Sequence, residues 1–337
     1  GGLPASRLSR RLSSPKPLAR TGKRGWLCVM ALLLASCALG YQHWTGSALE
    51  QALASSSDHL APTISLISEP APLAERTPVV MLHGMGDSGT NPGMRSLCDT
   101  ASGKYPGLHV VCSTVADGAA SITTTLDKQI EEFTASVRAD AKLANGFTAV
   151  GLSQGNLVLR GYIQRVNDPP VHKYISMCGP HNGVGTCPDN VLYKLICPLW
   201  RLDSYGAPIA FSDYWKDVAD KATYLKKSRW LAEMNNEREA KNATYVKNLK
   251  SLTQLVFVEA LQDTMVVPHA SETMGFWAWG SPGSVVPLNA TTAYKEDWLG
   301  LKAMAETKKL VTYSYQGEHL RWSSAFWDQT ILPFLAD

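Results

Sequence analysis

The first 25 residues contain no acid, although they hold seven basic side chains: Arg7, Arg10, Arg11, Lys16, Arg20, Lys23 and Arg24. Removing those seven charges from the formal net charge of +3 leaves −4 for the rest of the chain. A mildly acidic body lacks the basic face that a phosphate backbone requires, so nucleic-acid binding is excluded as a reading. Charged residues are only 18% of the sequence against 45% hydrophobic ones, which describes a globular chain that buries a sizeable core. No internal repeat is evident, which argues against a solenoid or array. The apolar run Trp26–Gly40 stops at fifteen residues. That is short of the roughly 20 needed to span a bilayer, but it fits the apolar region of a signal peptide. Ser36 and Ala38 are small residues suited to cleavage after Ala38; an uncleaved signal anchor is the alternative.

Cysteine is sparse but placed. Two of the seven, Cys28 and Cys37, fall in the leader, leaving Cys98, Cys112, Cys178, Cys187 and Cys197. Cys98–Cys112 and Cys187–Cys197 are natural local pairs, each closing a short loop, with Cys178 left as a buried thiol at a strand end. Asn242-Ala-Thr and Asn289-Ala-Thr are acceptor triplets for glycosylation. Leader, cysteines and sequons together point to the secretory pathway.

Residues 1–40 therefore read as a basic stretch plus signal segment, and residues 41–75, rich in Ala, Ser and Pro without periodicity, as a disordered linker. The folded body is expected over residues 76–337. Strands are expected at 77–83, 108–115, 147–153, 171–179, 252–261 and 310–315. Helices are expected at 119–143, 154–166, 301–309 and 323–335. Strands alternating with helices predict an α/β fold with a mostly parallel sheet. The stretch 189–249 departs from that alternation. Its many aromatics and lack of a buried strand predict a helical insertion over the sheet.

Gly151-Leu-Ser-Gln-Gly155 matches G-x-S-x-G, the nucleophile elbow, and lies between an apolar strand and an amphipathic helix as that motif requires. A bland alternative is a Gly-rich turn whose serine caps the helix. A serine hydroxyl needs a base to become nucleophilic, and in this class the order is Ser, acid, His. His319, in Gln316-Gly-Glu-His319 after the last strand, is the candidate base, with His269 as competitor. Asp263 ends an apolar strand and is the candidate acid; Asp297 and Glu318 are the alternatives, and Glu318 is discounted because it adjoins His319. The oxyanion hole calls for two backbone amides. These are expected from Gln154 and from the loop His83-Gly-Met85-Gly, where Met85 is favoured because glycines flank it.

These residues belong to a longer collinear set. His83-Gly-Met-Gly-Asp-Ser88, Gly151-x-Ser-Gln-Gly155, His181-x-Gly-Val184, Asn235-x-Glu-Arg238, Asp263 before Val267-Pro, Leu299-Gly-Leu-Lys302 and Gly317-x-His319 together resemble the palmitoyl-protein thioesterases. The resemblance spans about residues 77–336. It implies an α/β-hydrolase that is soluble, glycosylated and lysosomal, or otherwise extracellular. Its activity would be removal of long-chain acyl groups from cysteine thioesters of S-acylated proteins or peptides. By motif match it implies Ser153 as nucleophile, Asp263 as acid, His319 as base, Met85 and Gln154 at the oxyanion hole, and an acyl groove in the 189–249 insertion. No metal or organic cofactor is implied. Three positions depart from the pattern: Gly89-Thr90 stands where adjacent cysteines can occur, Asn156 replaces a second glycine after the elbow, and Gln262 replaces a sequon asparagine.

For the groove, the insertion offers Ile196, Leu199, Trp200, Ile209, Phe211, Trp215, Leu225 and Trp230, of which Ile209, Phe211, Trp215 and Trp230 are the expected substrate contacts. The alternative is that these side chains only pack the insertion onto the sheet. A lipase or carboxylesterase on the same fold, and a non-catalytic hydrolase-like binding module, are the other functional readings.

Overall fold

A computed structural model describes residues 76–188, 197 and 201–336. The leader, the linker and the groove candidates Ile196, Leu199 and Trp200 lie outside the described residues. The order is β1 (Val79–Leu82), α1 (Pro92–Lys104), β2 (Val110–Ser113), α2 (Leu126–Ala139), β3 (Phe147–Leu152), α3 (Gly155–Arg165) and β4 (Val171–Met177). α4 (Ala243–Ser251) closes the insertion, and after it come β5 (Gln254–Ala260), a hairpin of β6 (Phe276–Ala278) and β7 (Ser281–Val286), α5 (Leu301–Glu306) and β8 (Leu310–Tyr315).

Six strands form one parallel sheet in the order β2-β1-β3-β4-β5-β8. Each central strand is apolar at consecutive positions because both faces are covered. Leu255 and Phe257 of β5 join a core with Val80, Leu82, Ala149 and Tyr174 under α2, α3 and the insertion. Val256 and Val258 join Met81, Val150, Ile175 and Met177 on the other face, beneath α1 and the last turns of the chain. This layered arrangement is the α/β-hydrolase fold. Among the described residues no helix is long and apolar enough to cross a membrane.

Both expected disulfides are present, Cys98–Cys112 and Cys187–Cys197, each with Cα atoms 6.2 Å apart, and Cys178 is a buried free thiol. Such bridges belong to a chain that meets an oxidising compartment.

Several elements depart from the sequence reading. The helix expected over 119–143 is broken: a turn at Ala120–Thr123 ends where Thr124 (ψ 133°) and Thr125 (ψ 156°) are extended, and α2 starts afresh at Leu126. Consecutive β-branched threonines favour that extended conformation. In addition, Ser121 O is engaged by the side chains of Gln129 and Gln154 rather than by a helix amide. The helix expected over 323–335 is a single α turn, a π turn over Trp327–Ile331 and a 3-10 turn over Leu332–Leu335. Pro333 has no amide to continue an α ladder. The β6–β7 hairpin has no counterpart in the sequence reading, because β7 is solvent-exposed and has no apolar face to show a period of two.

Candidate active site

The elbow turns on three close approaches. Ser153 has φ +50°, in the left-handed region, at the crossing from β3 to α3. A Cβ on Gly151 would sit 2.2 Å from Asn156 Oδ1, and one on Gly155 would sit 2.3 Å from His83 O and 2.7 Å from Leu82 O. Only glycine fits either position, which is the physical content of G-x-S-x-G. Asn156, where a second glycine was expected from the resemblance, works as a brace. Its Nδ2 donates to Ser153 O (3.1 Å) and Met177 O (3.0 Å), tying the elbow to β4. The departure at Gly89 also has a physical reason: a Cβ there would lie 2.3 Å from Ser113 O, so a cysteine has no room.

Ser153 Oγ lies 2.8 Å from His319 Nε2, and His319 Nδ1 hydrogen-bonds Asp263 Oδ2. The other oxygen of Asp263 accepts from Met265 N (2.6 Å) and Val266 N (2.8 Å). The Asp263 side chain has no exposed surface, while His319 keeps 13%. Burial pushes the Asp263 carboxyl up. Hydrogen bonds with His319 and Glu272, the nearby imidazole and the Val266 amide together outweigh burial and hold it below the ordinary carboxylate range. A carboxylate there accepts from Nδ1–H, which leaves the Nε2 lone pair facing the serine hydroxyl.

The competing residues are occupied elsewhere. Asp297 accepts from Lys302 N (2.8 Å) and Ala303 N (3.3 Å) at the start of α5. Glu318 accepts from Thr264 Oγ1 (3.0 Å), and His269 Nδ1 lies 2.7 Å from Glu259 Oε1.

The loop after β1 packs against the elbow. Its next amides are engaged, Gly86 N with Ser121 Oγ (2.7 Å) and Asp87 N with Gly84 O (3.3 Å). Gln154 has its side chain locked: Nε2 donates to Ser121 O (2.7 Å) and Oε1 accepts from Tyr214 OH (3.0 Å). Tyr214 OH also lies 3.7 Å from Met85 Sδ. One hydroxyl from the insertion thus touches both residues expected at the oxyanion hole. Tyr214 was only one aromatic among many in the sequence, with no spacing to single it out.

Of the expected groove residues, Ile209, Phe211 and Trp215 are buried; the Phe211 ring lies 5.3 Å from Tyr214 and 6.3 Å from Trp215. Trp230 has 0% of its surface exposed and packs beside Arg160 of α3, its ring centroid 5.3 Å from the guanidinium carbon. It shares a core cluster with Ile209, Phe211 and Trp215. Asn242 and Asn289 are both exposed. A carboxyl that no motif selects, Glu272, is buried behind Asp263, where one oxygen of each, Cys178 Sγ and a His319 ring nitrogen all lie within 4.8 Å of one another.

Comparison with known proteins adds to this geometry. The family model described as palmitoyl protein thioesterase matches residues 78–319. Palmitoyl-protein thioesterase 3 of Dictyostelium discoideum is 38% identical over 265 residues, covering 77% of this chain and 91% of that protein. Palmitoyl-protein thioesterase 1 of Caenorhabditis elegans is 35% identical over 268 residues, covering 73% and 87%. The human protein named lysosomal thioesterase PPT2 is 29% identical over 285 residues, covering 80% and 92%.

Proposed function

The chain belongs to the palmitoyl protein thioesterase family, and from that premise we propose that it hydrolyses long-chain acyl thioesters of cysteine through an acyl-enzyme on Ser153. The observation that carries this reading is the unbroken line of contacts from Ser153 Oγ through His319 to Asp263 at the end of the sheet.

In the first step Ser153 attacks the thioester carbonyl while His319 Nε2 takes its proton and Asp263 holds the imidazole in the correct tautomer. The Met85 and Gln154 amides receive the oxyanion. The cysteine sulfur leaves as a thiol with an ordinary pKa of about 8.5, so it departs more readily than an amine. Water then attacks the acyl-serine, with His319 again as base. None of these steps calls on a metal or an organic cofactor.

Phe211, Trp215 and Ile209 are the groove wall in this reading, because Tyr214 sets their cluster directly against Met85 and Gln154. The substrates are S-acylated proteins or peptides. The lysosome is the proposed compartment, with glycans on Asn242 and Asn289, supported by the disulfides and by the name of the human relative.

The test is kcat/KM across a series of acyl thioesters and matched oxygen esters, below their micelle concentrations. Each buried methylene contributes up to about 0.8 kcal/mol, or roughly fourfold in rate, until the groove is full. A steep rise towards long chains with thioester preference is expected. A flat profile, or an optimum at short oxygen esters, would favour a carboxylesterase instead.

A further inference from the structure

Glu272 lies in the 3-10 turn His269–Thr273, packed against the end of β5, and it is fully buried. Its Oε2 accepts from Ala260 N at 2.7 Å. Its Oε1 is also buried and has no hydrogen-bond partner among the described residues. A Glu272 oxygen and an Asp263 oxygen nevertheless lie within 4.8 Å of each other. Two carboxylates have four acceptor oxygens and no donor between them, and two like charges this close in a buried site repel, which favours a proton on one of them. Asp263 already accepts from His319 and from the Met265 and Val266 amides. Glu272, with one oxygen unpartnered, is the carboxyl of the two placed to carry the proton.

We propose that Glu272 is a positioning residue of the active site: a neutral carboxylic acid whose O–H donates to Asp263, fixing that carboxylate behind His319 and weakening its hold on a proton. This rests on the reading of Asp263 as the triad acid. Burial, reinforced by the hydrogen bond and charge of Asp263, pushes the Glu272 carboxyl well above the ordinary glutamic range. The other groups facing it agree with a neutral acid. Glu259 of β5, paired with His269, adds a further negative neighbour. The Cys178 thiol, itself pushed up by burial, is hydrogen-bonded at 3.2 Å to Tyr315 OH of β8 and brings no positive charge. His319, on the far side of Asp263, can carry positive charge, as can His269 in the same turn, which is paired with Glu259.

The donor has a consequence for pH. By occupying an Asp263 lone pair, it keeps Asp263 ionised to lower pH and limits how strongly Asp263 stabilises an imidazolium. Without the donor, the His319–Asp263 pair holds its proton more tightly and the acid limb of kcat/KM moves to higher pH. Glutamine reproduces both contacts of a protonated glutamate, with its oxygen towards Ala260 N and its amide towards Asp263. Leucine reproduces neither.

The experiment compares Glu272→Gln and Glu272→Leu by pH profile, and records the infrared band of a buried protonated carboxyl in full-length protein carrying Ser153→Ala. E272Q is expected to keep kcat/KM within about threefold and leave the acid limb in place. E272L is expected to lose about tenfold and shift that limb upward by about one pH unit. The infrared band, present at neutral pH, should vanish when E272Q is added to the Ser153→Ala protein. A limb displaced in E272Q, a wild-type limb in E272L, or no such band would each overturn the proposal. If E272L does not fold, E272Q and the band decide it. The band needs no turnover, so failure of the serine mechanism leaves this part standing on its own.

Discussion

Replacing Asp263 by asparagine changes one atom, and the surrounding contacts dictate its effect on the imidazole. Oδ1 accepts from the Met265 and Val266 amides at 2.6 and 2.8 Å, so an asparagine must keep its oxygen there. Its amide nitrogen is then forced into the Oδ2 position, against His319 Nδ1. Two donors cannot face each other, so the imidazole must move its proton to Nε2, and Nε2–H then points at Ser153 Oγ in place of a lone pair. The base is lost without loss of shape. A tautomer inversion of this kind costs about 10⁴-fold in kcat, or about 5.4 kcal/mol of transition-state stabilisation. Stability should change little, since the amide group still satisfies the Met265 and Val266 donors. The assay is kcat/KM on a palmitoyl thioester, with a thermal melt on the same preparation. An Asp263→Asn enzyme retaining a tenth of wild-type activity, alongside a crippled Asp297→Asn, would refute the reasoning.

Two further predictions test the scaffold. Gly155→Ala puts a methyl 2.3 Å from His83 O, an overlap with backbone that no rotamer relieves. It should cost about 2 kcal/mol or more and at least tenfold in activity. Gly103→Ala in α1 meets nothing within 4 Å and should be neutral or stabilising by up to about 1 kcal/mol, as paired melts would show. For pH, Glu272 keeps its proton in the folded state beyond the value of about 4.3 at which the unfolded chain releases it. The folded state then binds more protons, so this group subtracts about 1.4 kcal/mol of stability per pH unit as pH rises above 4.3 towards its folded value. E272Q removes that slope, so its stability relative to wild type should grow between about pH 5 and 7 in urea titrations; parallel curves would contradict it.

How far the sequence could be read depended on how local each signal is. The strand at 252–261 and the elbow at 151–155 were directly legible. Buried parallel strands are continuous apolar runs, and the elbow's glycines are demanded by contacts within a few residues. The pairing of Asp263 with His319 was reachable because both come after strand ends in a fixed order. The break at Thr124 was not, because it depends on side chains of Gln129 and Gln154 reaching Ser121 O. The packing of Trp230 on Arg160 was not legible either, because an aromatic in an insertion reads the same whether it faces a groove or the core. Tyr214 and Glu272 act through partners 60 and 12 residues away in sequence, at Gln154 and Ala260, and no spacing rule points to such contacts.

The most direct test of the central claim is covalent. A serine-directed long-chain phosphonate should label the wild-type protein at a single peptide, and fragmentation should place the adduct on Ser153. Ser153→Ala should fold, take up no label and lose on the order of 10⁴-fold or more in turnover. Labelling of another serine, or a Ser153→Ala protein that still hydrolyses palmitoyl thioesters at near wild-type rate, would contradict the account.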